Sequence, residues 1–165
     1  MGNKTLVYKE KVQANLKESN KHLQRLNDAY TILLQTYTMP LDKKEYKKIL
    51  NSTQDLAYSD QIIYRFSKLQ DCMGAKLFKS LLLYQGENVD KPFLDILNQL
   101  EKMEILDVDE WFEIRDLRND ISHDYDDNEQ IAMEILNMIY KLKDDLAGVL
   151  KKIEALIIAG SELRL

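Results

Sequence analysis

Apolar side chains recur every three or four residues along most of this chain, and only two prolines and five glycines punctuate it. That period is the period of one helix face, so the pattern predicts an all-α protein. Leu16, Ser19, Leu23, Leu26, Tyr30, Leu33 and Tyr37 form the first stripe, on a helix predicted from Thr5 to Thr38. Pro40 closes it, because proline disfavours helix at the residue before it. A short helix from Asp42 to Leu50 follows. Ser52 and Asp55 have capping-box spacing, so a second long helix starts there. Its stripe is Ile62, Phe66, Leu69, Met73, Leu77, Leu81 and Tyr84, and Gln85-Gly86 supplies its stop. Pro92 suits the first turn of a shorter helix through about Met103. Asp107 and Glu110 open another helix that carries Trp111, Ile114 and Leu117. Asp126-Asp127, with Gln130 behind, is expected to break it and cap the last helix. There Ile131, Ile135, Met138, Leu142, Leu146, Val149, Ile153 and Leu156 form a seam long enough to pack along a neighbour. The expected architecture is an antiparallel four-helix bundle with short extra helices, in one domain spanning residues 1–165.

Composition narrows the class. A chain of 165 residues can bury a real core, and its 45% apolar content is that of a globular protein. The single cysteine, Cys72, has no partner for an internal disulfide, which fits a reducing cytosol, and a lone thiol is ordinarily a small core residue. Residues 1–11 lack the apolar segment of a secretory signal, and no apolar run approaches the roughly 20 residues of a membrane helix. A cytoplasmic protein without membrane contact is expected. The net charge of −5 argues against a storage-type RNA binder, since tight phosphate contact usually needs a basic protein. RNA would have to meet a local basic patch.

The densest chemistry lies in Arg118-Asn119-Asp120-Ile121-Ser122-His123-Asp124-Tyr125. Arginine keeps its charge, and its fork of N–H donors fits a phosphate. Histidine gives or takes a proton near neutral pH. Helical geometry puts Asn119 and His123 on one face, with Arg118 one step aside and Tyr125 two residues beyond the histidine. Arg118 and His123 taken alone read as a solvated helix end among aspartates. The combination of Arg-Asn, a spaced His and a spaced Tyr between two long helices favours a site. Asp120 and Asp124 flank the histidine and would repel phosphate.

This spacing (Arg, four residues, His, one residue, Tyr) resembles the signature of the HEPN family, in particular the HepT-like toxins of bacterial toxin–antitoxin pairs. Tyr64-Arg65-Phe66-Ser67-Lys68-Leu69-Gln70-Asp71, then Gly74 and Leu77-Phe78, is similar to the second-helix pattern of those sequences. So are Asp95-Ile96-Leu97, Leu100-Glu101-Lys102, Trp111 and the run Arg115-Asp116-Leu117-Arg118-Asn119. The resemblance covers roughly residues 60 to 125, and the flanking helices only by pattern. Phe66, Leu69 and Phe78 read as core. Arg65 and Asp71 read equally as pocket residues or as a structural ion pair. Gly74 inside a helix costs stability, so it marks close approach of another helix.

The resemblance implies metal-independent RNA cleavage, a homodimer whose motifs face each other, and a partner. The chemistry agrees. The 2′-hydroxyl must lose a proton to attack phosphorus, the 5′-oxygen must gain one to leave, and a cation must steady the phosphorane. Each motif offers one histidine, and the only other, His22, reads as an ordinary exposed residue. Two motif histidines meet only if two chains pair. By this reading His123 does the acid–base work and Arg118 holds phosphate. Asn119 orients a neighbour or the phosphate, Tyr125 lines the cleft, and the products are a 2′,3′-cyclic phosphate and a 5′-hydroxyl. No cofactor is expected. The implied partner is a minimal nucleotidyltransferase (MNT) antitoxin that uses ATP to adenylylate Tyr125, and the added phosphates would repel RNA. The rivals are a non-catalytic HEPN protein that binds a nucleotidyltransferase, a carboxylate metal bundle using the Asp120–His123 spacing, and a purely structural helical scaffold. The metal bundle lacks a second pair of this kind, since Ser19 stands at that distance before His22.

Overall fold

The computed structural model describes residues 2–122 and 127–162, and among these every regular element is helical. Helix α1 spans Gly2–Leu33, α2 Lys43–Leu50 and α3 Thr53–Cys72. A π turn over Met73–Leu77 leads into α4, Phe78–Tyr84. Then come α5, Phe93–Lys102, α6, Val108–Ser122, and α7, Glu129–Glu162.

Local chemistry explains most of the boundaries. The Asp42 carboxylate accepts the Glu45 N–H (2.7 Å), and the Ser52 hydroxyl accepts that of Asp55 (3.2 Å). Asp107 Oδ1 accepts the Glu110 N–H at 3.0 Å. Each satisfies one of the donors a helix start leaves orphaned. Gly86 ends α4 with φ +83°, a left-handed conformation that glycine adopts without penalty. Pro92 stands at the cap of α5, just before its first turn.

Four expectations need correction. The first helix stops at Leu33, not Thr38. After the Leu34 N–H bonds the Tyr30 carbonyl, those of Gln35 and Thr36 reach back only three residues, tightening the last turn. Tyr37 is thereby placed to donate its buried hydroxyl to Asp55 Oδ2 at 2.6 Å, so tertiary contact overrides propensity. The second long helix has the expected ends, Thr53 and Tyr84, but the π turn interrupts it. Its apolar stripe stays buried throughout, from Ile62 to Tyr84. Third, the described cap of α7 is Asn128, whose Oδ1 accepts the Ile131 N–H (3.2 Å), whereas Gln130 bonds Glu134 on its own helix. Asp126 lies outside the described residues. Finally, the α7 seam is rotated. Ile131 is exposed and Met138 and Leu156 lie at the edge, while Ala132, Met133, Ile139 and Ile157 join Ile135, Leu142, Leu146 and Ile153 inside.

The long helices pack on one core. α1 lies along α3, α4 and α7, and α3 also meets α6 and α7, with α6 against α7. Phe66, Leu69, Leu77, Phe78, Leu136 and Leu146 are completely buried in it. Removing such side chains from water drives the assembly, at about 2 kcal/mol each. Polar ties fix the register. The Tyr30 hydroxyl donates to the Leu136 carbonyl (2.7 Å), and the Asn137 amide pairs with both backbone groups of Leu41 (2.7 and 3.0 Å). Cys72 is buried, as a lone core thiol should be, and donates to Glu18 Oε2. Among the described residues, no helix is long and apolar enough to cross a membrane.

Candidate functional site

One face of α6 carries Arg115, Arg118, Asn119 and Ser122 at steps of three, four and seven, so they project together. Across from them stand Gln70 and Asp71 of α3, Gly74 and Ala75 of the π turn, and Lys79 of α4. Between the two walls runs an open cleft of about 480 Å³, closed at one side by Phe93 of α5.

The π turn shapes this cleft. A Cβ on Gly74 would lie 3.2 Å from Cζ2 of Trp111 and 3.5 Å from Nε2 of Gln70. The glycine thus permits the close approach of α6 that a glycine inside a helix suggested. Trp111 is fixed from its other side, edge-on to Phe78 with ring centroids 4.7 Å apart. π turns collect at functional sites because the extra residue re-aims the side chains that follow.

Arg118 is held by Asp71. Its Nε donates to Oδ1 (3.1 Å) and its Nη2 to Oδ2 (3.0 Å), a two-pronged pair. The pair is partly exposed, with 27% of the Arg118 side chain and 48% of the Asp71 side chain open to solvent, so its net contribution to stability is at most about 1 kcal/mol. Its geometric effect is larger. One edge of the guanidinium is occupied, and the other, with Nη1, is presented rather than left to swing. Asp71 is therefore both an ion-pair partner and a cleft residue. Asn119 is exposed on the same wall, and its carbonyl accepts the Ser122 hydroxyl at 2.6 Å.

Arg65 does not join the cleft. Its Nη1 donates to His22 Nδ1 at 3.0 Å, and its Nε is buried without a hydrogen-bond partner. This corrects the reading of His22 as an ordinary exposed residue: it is half-buried against α3. Burial first, and then the charge of Arg65, push its pKa below the usual histidine value. The spacing of 43 residues between the two explains why sequence could not pair them.

His123 and Tyr125 lie outside the described residues, as does Asp124. Ser122, the residue immediately before His123 in sequence, lines the cleft. Three cleft residues went unrecognised as site residues: Lys79, Arg115 and Gln70. Arg115 was legible, since it stands three residues before Arg118 on the same face. Lys79 was not, because the π turn shifts the phase between Asp71 and α4. Among the described residues, Lys79, Arg115 and Arg118 set three cations against the one carboxylate of Asp71 along this cleft, on a chain of net charge −5. Arg115 also lies over the Phe93 ring, 5.7 Å from its centroid. Gln70 is only 8% exposed and forms no side-chain hydrogen bond among the described residues, so its amide faces the cleft unpartnered.

Among the described residues, no group of three His, Cys, Asp or Glu side chains converges as metal ligands would. A cationic cleft of this kind can hold a phosphodiester: a guanidinium fixed by Asp71, two further cations and amide donors line one volume. No model of a known protein family matches the chain, and no curated protein is significantly similar to it.

Proposed function

We propose that this chain is a HEPN-type, HepT-like toxin, a metal-independent endoribonuclease that leaves 2′,3′-cyclic phosphate and 5′-hydroxyl ends. The observation that carries the reading is Arg118, clamped by Asp71 at the wall of a locally basic cleft in an acidic chain. That is the local patch an acidic nuclease requires, and the chain runs from this wall directly into His123. In this reading α1, α3 with α4, α6 and α7 act as an antiparallel four-helix bundle. Two copies pair so that the His123 side chains serve as acid and base, Arg118 grips the phosphate from its free edge, and Asn119 orients it. A cognate MNT-type nucleotidyltransferase adenylylates Tyr125 and silences the site in the cytoplasm.

One observation favours a second reading. Asp71 already neutralises one edge of Arg118. A non-catalytic HEPN protein, serving as substrate and binding partner of a nucleotidyltransferase, would have the same fold and the same ion pair.

Induced expression in a bacterial host separates the two. Wild type should arrest growth, and the purified protein should cleave RNA in EDTA. Arg118→Ala and His123→Ala should lose both. Equal harmlessness of all three proteins, with RNA left intact, would remove the nuclease reading and leave the binding partner.

A further inference from the structure

Tyr64 on α3 is 51% exposed, and two cations sit on its ring: Arg65 Cζ at 5.3 Å and Lys68 Nζ at 5.7 Å from the centroid. Arginine has no acceptor, so the nitrogen that receives its hydrogen bond in His22 carries a lone pair, and the neutral imidazole holds its proton on Nε2. Lys21 and Lys68 both act on this imidazole, with Glu18 opposing them. An exposed aromatic ring thus carries two cations, one of them anchored to a neutral imidazole.

This cluster is in line with the cleft. Tyr64, Lys68, Asp71 and Ala75 recur at steps of four, three and four, so they share one face of the helix, and the last two line the cleft. Seven residues of helix put Tyr64 about 10 Å along the axis from Asp71. A strand with its phosphate at Arg118 can extend along this face.

We propose that the Tyr64 face is a subsite for single-stranded RNA flanking the cleaved bond, an inference that rests on the ribonuclease reading. A base stacks on the Tyr64 ring, and Lys68 swings from the ring to an adjacent phosphate while Arg65 stays bonded to His22. Stacking of a base outweighs an exposed cation–π contact, so the exchange is favourable. Every base has a π-face, so the subsite is tolerant of sequence. A duplex, whose bases already stack on one another, does not fit it.

The test uses fluorescent oligouridylates of two and eight nucleotides with 2′-O-methyl riboses, which bind but lack the attacking hydroxyl. Anisotropy at low salt should show the octamer bound at least tenfold tighter by wild type. Tyr64→Ala should weaken the octamer about tenfold or more and leave the dimer unchanged, while Tyr64→Phe keeps wild-type affinity. Lys68→Ala should reduce the slope of log affinity on log salt by about 0.7. If Tyr64→Ala alters the thermal melt, Lys68→Glu replaces it and should also lose tenfold. An octamer held equally by wild type and Tyr64→Ala overturns the subsite, as does an octamer bound no tighter than the dimer. Cleavage of an unmodified dinucleotide separates the two claims. Equal cleavage by wild type and Tyr64→Ala leaves the nuclease standing when the subsite fails. Octamer binding that depends on Tyr64 without any cleavage leaves the subsite standing when the nuclease fails.

Discussion

Asp71 shows how little a surface ion pair can matter to folding and how much to a site. It fixes one edge of Arg118, yet both side chains remain partly in water. Asp71→Ala should therefore lower unfolding free energy by no more than about 1 kcal/mol in a urea titration. Freed of its clamp, Arg118 no longer presents a fixed edge to phosphate, and misplacement of such a group costs rate steeply. RNA cleavage should fall about a hundredfold, mainly in kcat. A variant as active as wild type would reduce the ion pair to decoration. His22 yields a prediction in pH. Its folded pKa is depressed, so folding disfavours protonation of the imidazole. The associated stability is present above the ordinary histidine value of 6.5 and lost as pH falls through the lower, folded value. Nuclear magnetic resonance titration should place the His22 midpoint below 6.5. Arg65→Gln should raise that midpoint but not to 6.5, because burial is the larger cause. A wild-type midpoint at or above 6.5 would show that the Arg65–His22 hydrogen bond does not persist in solution.

At the scale of elements, the π turn decides the geometry. Gly74 normally makes a helix weaker than alanine would, by about 1 kcal/mol, so Gly74→Ala gains on propensity. The new methyl would meet Trp111 at 3.2 Å, and Trp111 is 1% exposed and braced on Phe78. Overpacking against a ring that cannot retreat costs about 1–3 kcal/mol. The balance should be a net loss near 1 kcal/mol in the urea midpoint. A gain in stability would mean that the indole has room the packing does not show. Much of this level was legible in the chain. Ser52, Asp107 and Gly86 act through bonds to residues three or four away, so their roles as caps and stop are written locally. Arg115, Arg118, Asn119 and Ser122 share a face by spacing alone. What stayed hidden depends on distant partners. Nothing near Met73 signals five residues in a turn. Asn128 rather than Asp127 caps α7 because the core takes up Ala132 and Met133 and leaves Ile131 out. His22 finds Arg65, and Asp71 finds Arg118, only after helices pack.

At the scale of the whole molecule, the proposed chemistry demands more than one chain. Cyclisation of RNA requires a base at the 2′-oxygen and an acid at the 5′-oxygen, and each chain brings one motif histidine. The other histidine, His22, is engaged with Arg65 on the α1–α3 face and is not free to serve. A pair of chains also sums two basic clefts, which raises the local phosphate potential that the overall charge of −5 otherwise opposes. Activity should then follow the population of the pair. Specific activity should stay constant at high protein concentration and fall steeply on dilution, at the same concentration where sedimentation shows two 19.4 kDa chains separating. Mixing Arg118→Ala with His123→Ala chains adds a sharper test. If each composite site draws its phosphate grip and its proton donors from both protomers, the mixture should remain far below wild type, because every pair lacks both arginines, both histidines, or one of each. Specific activity that is independent of concentration down through complete dissociation would place acid and base within one chain and refute the paired site.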